Sequence, residues 1–177
     1  MVSNKKRLYV ALYPSAWIHI LTLQFENRYH WGFLVGPKVE GEHPVRGMHY
    51  HVKNPVALGW VYEEVELPDV RNTNNLLVRV LVAKIIDEER LANIFREVPV
   101  VQDDPDWRGR TWVANALRAL REDGRAVGRA VLDWGEIETV ARQYAGEKTE
   151  GGRFRDVTLT DLPRPTWDML EGREIVP

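Results

Sequence analysis

Tyr29-His-Trp-Gly-Phe-Leu-Val-Gly-Pro-Lys38 alternates in character over strand length and stops at the Gly36-Pro37 turn signal, the pattern of a β-strand. Segments of the same kind flank it. Upstream, Arg7-Leu-Tyr-Val-Ala-Leu-Tyr13 is short, β-rich and stopped by Pro14. Downstream, Gly47-Met-His-Tyr-His-Val-Lys53 closes at Asn54-Pro55, and Gly59-Trp-Val-Tyr-Glu-Glu-Val-Glu-Leu67 ends at Pro68. After a polar turn from Arg71 to Asn75 comes Leu76-Leu-Val-Arg-Val-Leu-Val-Ala83, whose apolar content on both faces reads as a central strand. The links are short and turn-rich, which favours an antiparallel meander over βαβ units.

The period then changes. Asp87 can cap a helix through Glu88 to Arg96, with Leu91, Ile94 and Phe95 on one face. A second helix runs from about Gly109 to Glu122 on a stripe of Trp112, Val113, Ala116, Leu117 and Leu120, and stops at Asp123-Gly124. Asp133 with Glu136 opens a third, carrying Ile137, Val140, Ala141 and Tyr144. Arg153 to Thr160 reads as an edge strand, and the proline-bearing tail to Pro177 as a surface wrap. The expectation is an α+β fold: an antiparallel sheet of about five to six strands from the N-terminal half, packed against about three helices from the C-terminal half. No repeat, linker or low-complexity stretch divides it, so residues 1–177 read as a single domain.

Composition narrows the function. The chain has no cysteine, which excludes thiol nucleophiles and thiolate metal sites and suits a reducing compartment. A formal charge of −2, spread along the chain, gives no reason to expect nucleic acid or an anionic membrane as partner. No apolar run approaches the ~20 residues of a spanning helix. A cytoplasmic, soluble protein is expected. Phosphate loops, Rossmann glycines and nucleophile elbows are missing, and no cofactor is expected.

Histidines carry the remaining chemistry. On a strand, His49 and His51 point to one face, opposite Met48, Tyr50 and Val52. His30 lies one strand earlier and approaches them if the two strands pair. Such a cluster offers a general base near neutral pH, or else it is a half-exposed sheet face with no special role. His49-x-His51 lacks an acidic ligand a few residues on. Glu63 and Glu64 come too late for that pattern and alternate faces, so neither a metal site nor a carboxylate dyad is expected. The seven tryptophans read mostly as core or rim, Trp107 being the candidate for a pocket wall.

The strand Tyr29-His30-Trp31-Gly32-Phe33-Leu34-Val35-Gly36 resembles the His-Trp-(small)-x-x-Val-Gly strand of lecithin:retinol acyltransferase-like proteins, the circularly permuted branch of the papain-like NlpC/P60 superfamily. That resemblance implies a base histidine at His30, a second at His49 or His51, and a nucleophile at the start of the helix near Gly109. A closer resemblance is to a family of small uncharacterised fungal proteins. It rests on Tyr29 to Lys38, on Val98-Pro-Val-Val-Gln-Asp-Asp-Pro-Asp-Trp107, and on Met169-Leu-Glu-Gly-Arg-Glu-Ile-Val-Pro177. Relatives carry Trp-x-Cys-x-x-Trp-Val where this chain has Trp107-Arg-Gly109-Arg-Thr-Trp-Val113, so Gly109 stands in the cysteine's place.

Glycine has no side chain to deprotonate. Thr111, two residues along the helix, is turned by roughly 200°, and Ser3 and Ser15 lie in unrelated segments. What survives is a groove in which helix N-terminal amides face His30, a place that attracts an anion or a carbonyl oxygen. Its expected ligand-binding residues are Trp31, Trp107, Arg108, Gly109, Arg110 and Thr111; its candidate catalytic residues are His30, His49 and His51. Three functions compete: a papain-like-fold protein binding a small molecule or peptide without thiol catalysis; a non-covalent isomerase, cyclase or dehydratase of fungal metabolism using His30 with His49 or His51; and an interaction protein whose surface matters.

Overall fold

A computed structural model describes residues 5–15, 28–42 and 44–177 of the chain; Ser3 and Trp17 lie outside them. Its axis is β1 (Arg7–Pro14), which is buried on both faces. Leu8, Val10 and Leu12 join the larger core, and Tyr9, Ala11 and Tyr13 a smaller one across the sheet. Antiparallel neighbours are β2 (Tyr29–Gly36) on one side and β5 (Val78–Ile85) on the other. Outside β2 lie β3 (Gly47–Lys53) and β4 (Val61–Leu67), both antiparallel. The expected meander holds for β1 to β4, but β5 crosses back to pair with β1 instead of extending it beyond β4, and is buried on both faces as a central strand must be.

Three helices follow, each where its pattern places it: α1 (Glu88–Glu97), α2 (Gly109–Asp123) and α3 (Trp134–Glu150). Asp87 and Asp133 accept backbone N–H bonds from Arg90 and Glu136, satisfying first-turn donors that no helical carbonyl can reach. Gly124 ends α2 at φ 66°, a left-handed position that costs glycine nothing. The helices cover one face of the sheet through an aromatic seam in which Phe33 stacks on Phe95 at 4.7 Å and meets Trp112 edge-on at 5.7 Å.

The C-terminal third departs from expectation. The sheet has eight strands, not five to six, in the order β4-β3-β2-β1-β5-β7-β8, with β6 also on β5. β6 (Val127–Ala130) and β7 (Thr166–Asp168) share one edge of β5: β6 pairs at Ala83 and Ile85, β7 at Arg79 to Leu81. The β7 pairing is parallel, and β8 (Arg173–Val176) closes the edge antiparallel. Part of the tail is thus a pair of sheet strands and not only a surface wrap. Arg153 to Thr160 is not an edge strand. It holds a turn and a 3-10 helix at Val157–Leu159, opened by Asp156 accepting the Thr158 N–H.

One buried ion pair ties the far side together. Arg79, with no exposed surface, reaches Glu40 in the β2–β3 loop at 2.6 and 2.9 Å, Thr166 Oγ1 on β7 at 3.0 Å, and the face of Tyr9.

Candidate functional site

The site is written across four strands on the sheet face opposite the helices. Pairing sets Tyr13 of β1 opposite His30 of β2, and His51 of β3 opposite Glu63 of β4. The β2–β3 register runs from Phe33↔Tyr50 to Val35↔Met48. Continued toward residue 30, it sets His51 across from Gly32 and makes His30 its diagonal neighbour, within reach of long side chains. Contacts follow suit: His30 Nε2 lies 3.0 Å from His51 Nδ1, and His51 Nε2 lies 2.8 Å from Glu63 Oε2. Lys53 Nζ holds the other Glu63 oxygen at 2.6 Å.

Proton placement along this line follows from its acidic end. Lys53, the first cause, and His51 hold the Glu63 carboxyl below its usual range, so it is ionised and can only accept. His51 must then donate from Nε2. Burial lowers the His51 pKa, which leaves the ring neutral and Nδ1 a lone pair. His30 accordingly donates from Nε2. Burial, reinforced by His51, brings its pKa down to about 4, so its Nδ1 is also a lone pair at neutral pH.

That lone pair faces Gly109. A Cβ built on Gly109 lies 3.8 Å from His30 Nδ1, from the Trp31 carbonyl oxygen and from Val52 Cγ2, so a methyl-sized space sits beside the base. Gly109 and Arg110 open α2 with N–H groups that no helical carbonyl can accept.

His49 behaves differently. It stacks between His51 (4.1 Å) and Tyr13 (5.3 Å), with its buried Nε2 turned to Gly32 and no hydrogen-bond partner. Burial drives its pKa to about 2, and burial pushes Tyr13 up to about 12. Donors do not converge, and among the described residues no group of three His, Asp or Glu side chains can hold a metal ion.

These groups line a cleft of about 920 Å³. One wall is His30, His49, His51 and Trp60, another the amide-rich run Asn72 to Asn75, with Arg108, Gly109 and Arg110 at the start of α2. The other residues singled out from sequence lie as follows. Trp31 contributes to the lining, while its indole packs edge-on against Trp134 in the core. Trp107 is not a wall. It is buried behind Trp60, 5.3 Å away, and Trp60 takes that place. Thr111 is also outside the lining, since its hydroxyl accepts the Arg108 N–H. Arg108 donates to the carbonyls of Pro105 and Trp107, and Arg110 pairs with Glu138 at 3.3 Å. The two guanidinium groups therefore serve the α2 start and α3 as well as the cleft.

Sequence reasoning misses Glu63. Neither metal-ligand spacing nor its place beside Glu64 gives it a role, and the signal that does is the β3–β4 hairpin register, which sets it opposite His51.

Fold and site together define an α+β protein with a carboxylate-anchored histidine pair aimed at a helix N-terminus. Residues 5–176 match the sequence profile described as "Family of unknown function (DUF6914)", and the chain belongs to that family. No curated protein matches the chain, and no solved structure does. No helix among the described residues is long and apolar enough to cross a membrane.

Proposed function

We propose that the cleft binds a small molecule or peptide between His30 and the start of α2, without thiol chemistry. The observation that carries this reading is the His30 Nδ1 lone pair, which faces the space beside Gly109 and to which no group among the described residues donates a hydrogen bond. A ligand N–H or O–H meets that lone pair, and a carbonyl or carboxylate oxygen meets the first-turn amides of α2. A cleft of this volume suits a drug-sized ligand. Its Asn72–Asn75 wall supplies amide donors and acceptors, and Trp60 an apolar surface.

A second reading is favoured by the line from His30 through His51 to Glu63. A base oriented by a carboxylate is the apparatus of non-covalent acid–base catalysis, as in an isomerase, cyclase or dehydratase. Descent from a permuted papain-like fold is part of the proposal. It is supported by the order of elements, with His30 on one strand, His51 on the next, and Gly109 opening a later helix. The absence of cysteine suits the cytoplasm, where we place the protein.

The test is a titration of the folded protein with acetylated dipeptide amides and small aromatic carboxamides, followed by backbone and histidine-ring NMR. Saturable shifts at His30, Gly109 and Arg110, lost in His30→Gln, are expected. Shifts confined to other residues, or none at ~10 mM probe, overturn the reading.

A further inference from the structure

His30 Nδ1 is a proton acceptor for which the described chain supplies no proton. Gly109 has no side chain, the Thr111 hydroxyl accepts the Arg108 N–H in the α2 cap, and the Tyr13 hydroxyl, which accepts from Thr73 at 3.4 Å, makes no hydrogen bond to His30. Next to this lone pair is a space that admits a methyl group at ordinary van der Waals distance from three neighbours. Beside that space are the N–H groups of the first turn of α2, suited to oxygen that gains negative charge. Base, space and amides stand as they would around a reacting nucleophile, and none of the three atoms nearest that space is one.

We propose that the cleft acts on ligands that bring their own nucleophile: a hydroxyl, thiol or amine seated beside Gly109, within reach of an ester, thioester or amide carbonyl of the same or a second ligand. This rests on the acid–base reading above and names its substrate class. The step is an acyl transfer. His30 Nδ1 takes the proton of the X–H group as X forms its bond to the carbonyl carbon. The carbonyl oxygen, now negative, lies against the α2 amides. The C–O, C–S or C–N bond to the leaving group then breaks, and that group departs with the proton held on His30. No electrons are gained or lost overall, and no co-reactant beyond X–H is needed. While the proton is on His30, its positive charge is faced through His51 by the Glu63 carboxylate.

Space, and not only chemistry, sets the preference. A nucleophile carried on a slim chain reaches the position beside Gly109; a branched one meets Val52 and the Trp31 carbonyl, each 3.8 Å from the Cβ position. When nucleophile and carbonyl belong to one ligand the product is a ring, and when they belong to two it is a transferred acyl group.

The test uses p-nitrophenyl acetate as acyl donor and 2-mercaptoethanol as nucleophile, with thioester product measured by chromatography and uncatalysed thiolysis subtracted. Wild type is expected to accelerate thiolysis with saturation in the thiol. His30→Gln should bring the rate to background. Gly109→Ala, whose methyl fits without displacing any neighbour, should fold normally and lower the rate at least ~10-fold by occupying the nucleophile's place. A wild-type rate equal to background, or a Gly109→Ala rate equal to wild type, overturns the proposal. Probe-induced shifts at His30 and Gly109 without thiolysis overturn it while leaving the binding reading standing; absence of both removes both.

Discussion

His30 Nε2 and His51 Nδ1 stand 3.0 Å apart, and the Glu63 carboxylate 2.8 Å beyond His51 decides which ring carries the shared proton. Both rings are therefore held as Nε2–H tautomers. In long-range nitrogen–proton NMR spectra at pH 7, His30 and His51 should each show one protonated Nε2 and one unprotonated Nδ1. Glu63→Gln removes the charge that polarises the line, and His30 should then populate both tautomers. Because Glu63 is partly exposed, global stability should change by about 1 kcal/mol or less. Unchanged tautomers in Glu63→Gln would show that the carboxylate does not set the direction.

Gly109→Cys places a thiol beside the His30 lone pair and at the start of α2. Both effects favour the thiolate, against an ordinary cysteine pKa of about 8.5. Alkylation by iodoacetamide at pH 6.5 should be at least ~10-fold faster than in the Gly109→Cys, His30→Gln double variant. Equal rates in the two proteins would mean that His30 does not face residue 109 in solution.

Stability should fall with acid, and the histidines give the window. His30 and His49 sit near 4 and 2 in the folded chain, below the ordinary 6.5. The unfolded chain therefore binds more protons between those values, and the folded state is favoured as pH rises. Their contribution is fully present above about 6.5 and is lost as pH falls toward 4 for His30 and further for His49. By pH 5 the loss is roughly 2 kcal/mol for each ring. Urea unfolding at pH 7 and pH 5 measures it, and His30→Gln should shrink the difference by the His30 share, leaving the part due to His49 and to His51, whose pKa burial also lowers.

On the same face of the sheet, beyond Tyr9, Glu40→Gln takes from the buried Arg79 guanidinium the only carboxylate hydrogen-bonded to it among the described residues, leaving Asp69 to act at longer range. Thr166 and the Tyr9 ring remain as neighbours, but neither carries the compensating charge. Stripping one partner from a buried pair costs about 3–5 kcal/mol, and the denaturation midpoint should drop accordingly. Arg79→Met with Glu40→Gln should recover part of that loss, since no buried charge is then left unpaired.

The parts that can be read from sequence are those whose signals are local. Asp87, Asp133 and Gly124 punctuate the helices chemically, and period-two alternation by itself puts His49 and His51 on one face. β6, β7 and β8 are three or four residues long and exist because β5 has an edge to pair with, so nothing within them announces a strand. The exposed run around Asp156 has enough Val, Thr and Leu to resemble an edge strand, but its aspartate captures the Thr158 N–H and winds it. Glu63 is hidden for a related reason. Its partner is 12 residues away through a hairpin, and register, not spacing, brings it to His51. Trp107 and Trp60 are adjacent in space, and only the packing tells which of them faces the cleft.

Two glycines of the site should respond oppositely to a methyl group. At Gly109 the added Cβ finds its three nearest atoms at 3.8 Å, so alanine fits and also suits the first turn of a helix. Its stability should lie within about 0.5 kcal/mol of wild type. At Gly32 the added Cβ lies 2.8 Å from His49 Nε2, 3.1 Å from His51 Cβ and 3.2 Å from the Tyr50 carbonyl oxygen. His49 cannot swing clear, because Tyr13 and His51 are stacked on its two faces. The ring must push on His51, which is bonded to His30 and Glu63, so the strain spreads into the proton line. Gly32→Ala should cost about 1–3 kcal/mol, and His30 should lose its single-tautomer signature even in protein that remains folded. A Gly32→Ala protein with wild-type stability and unchanged histidine resonances would mean that the His49 stack is not the packed arrangement from which the whole site is oriented.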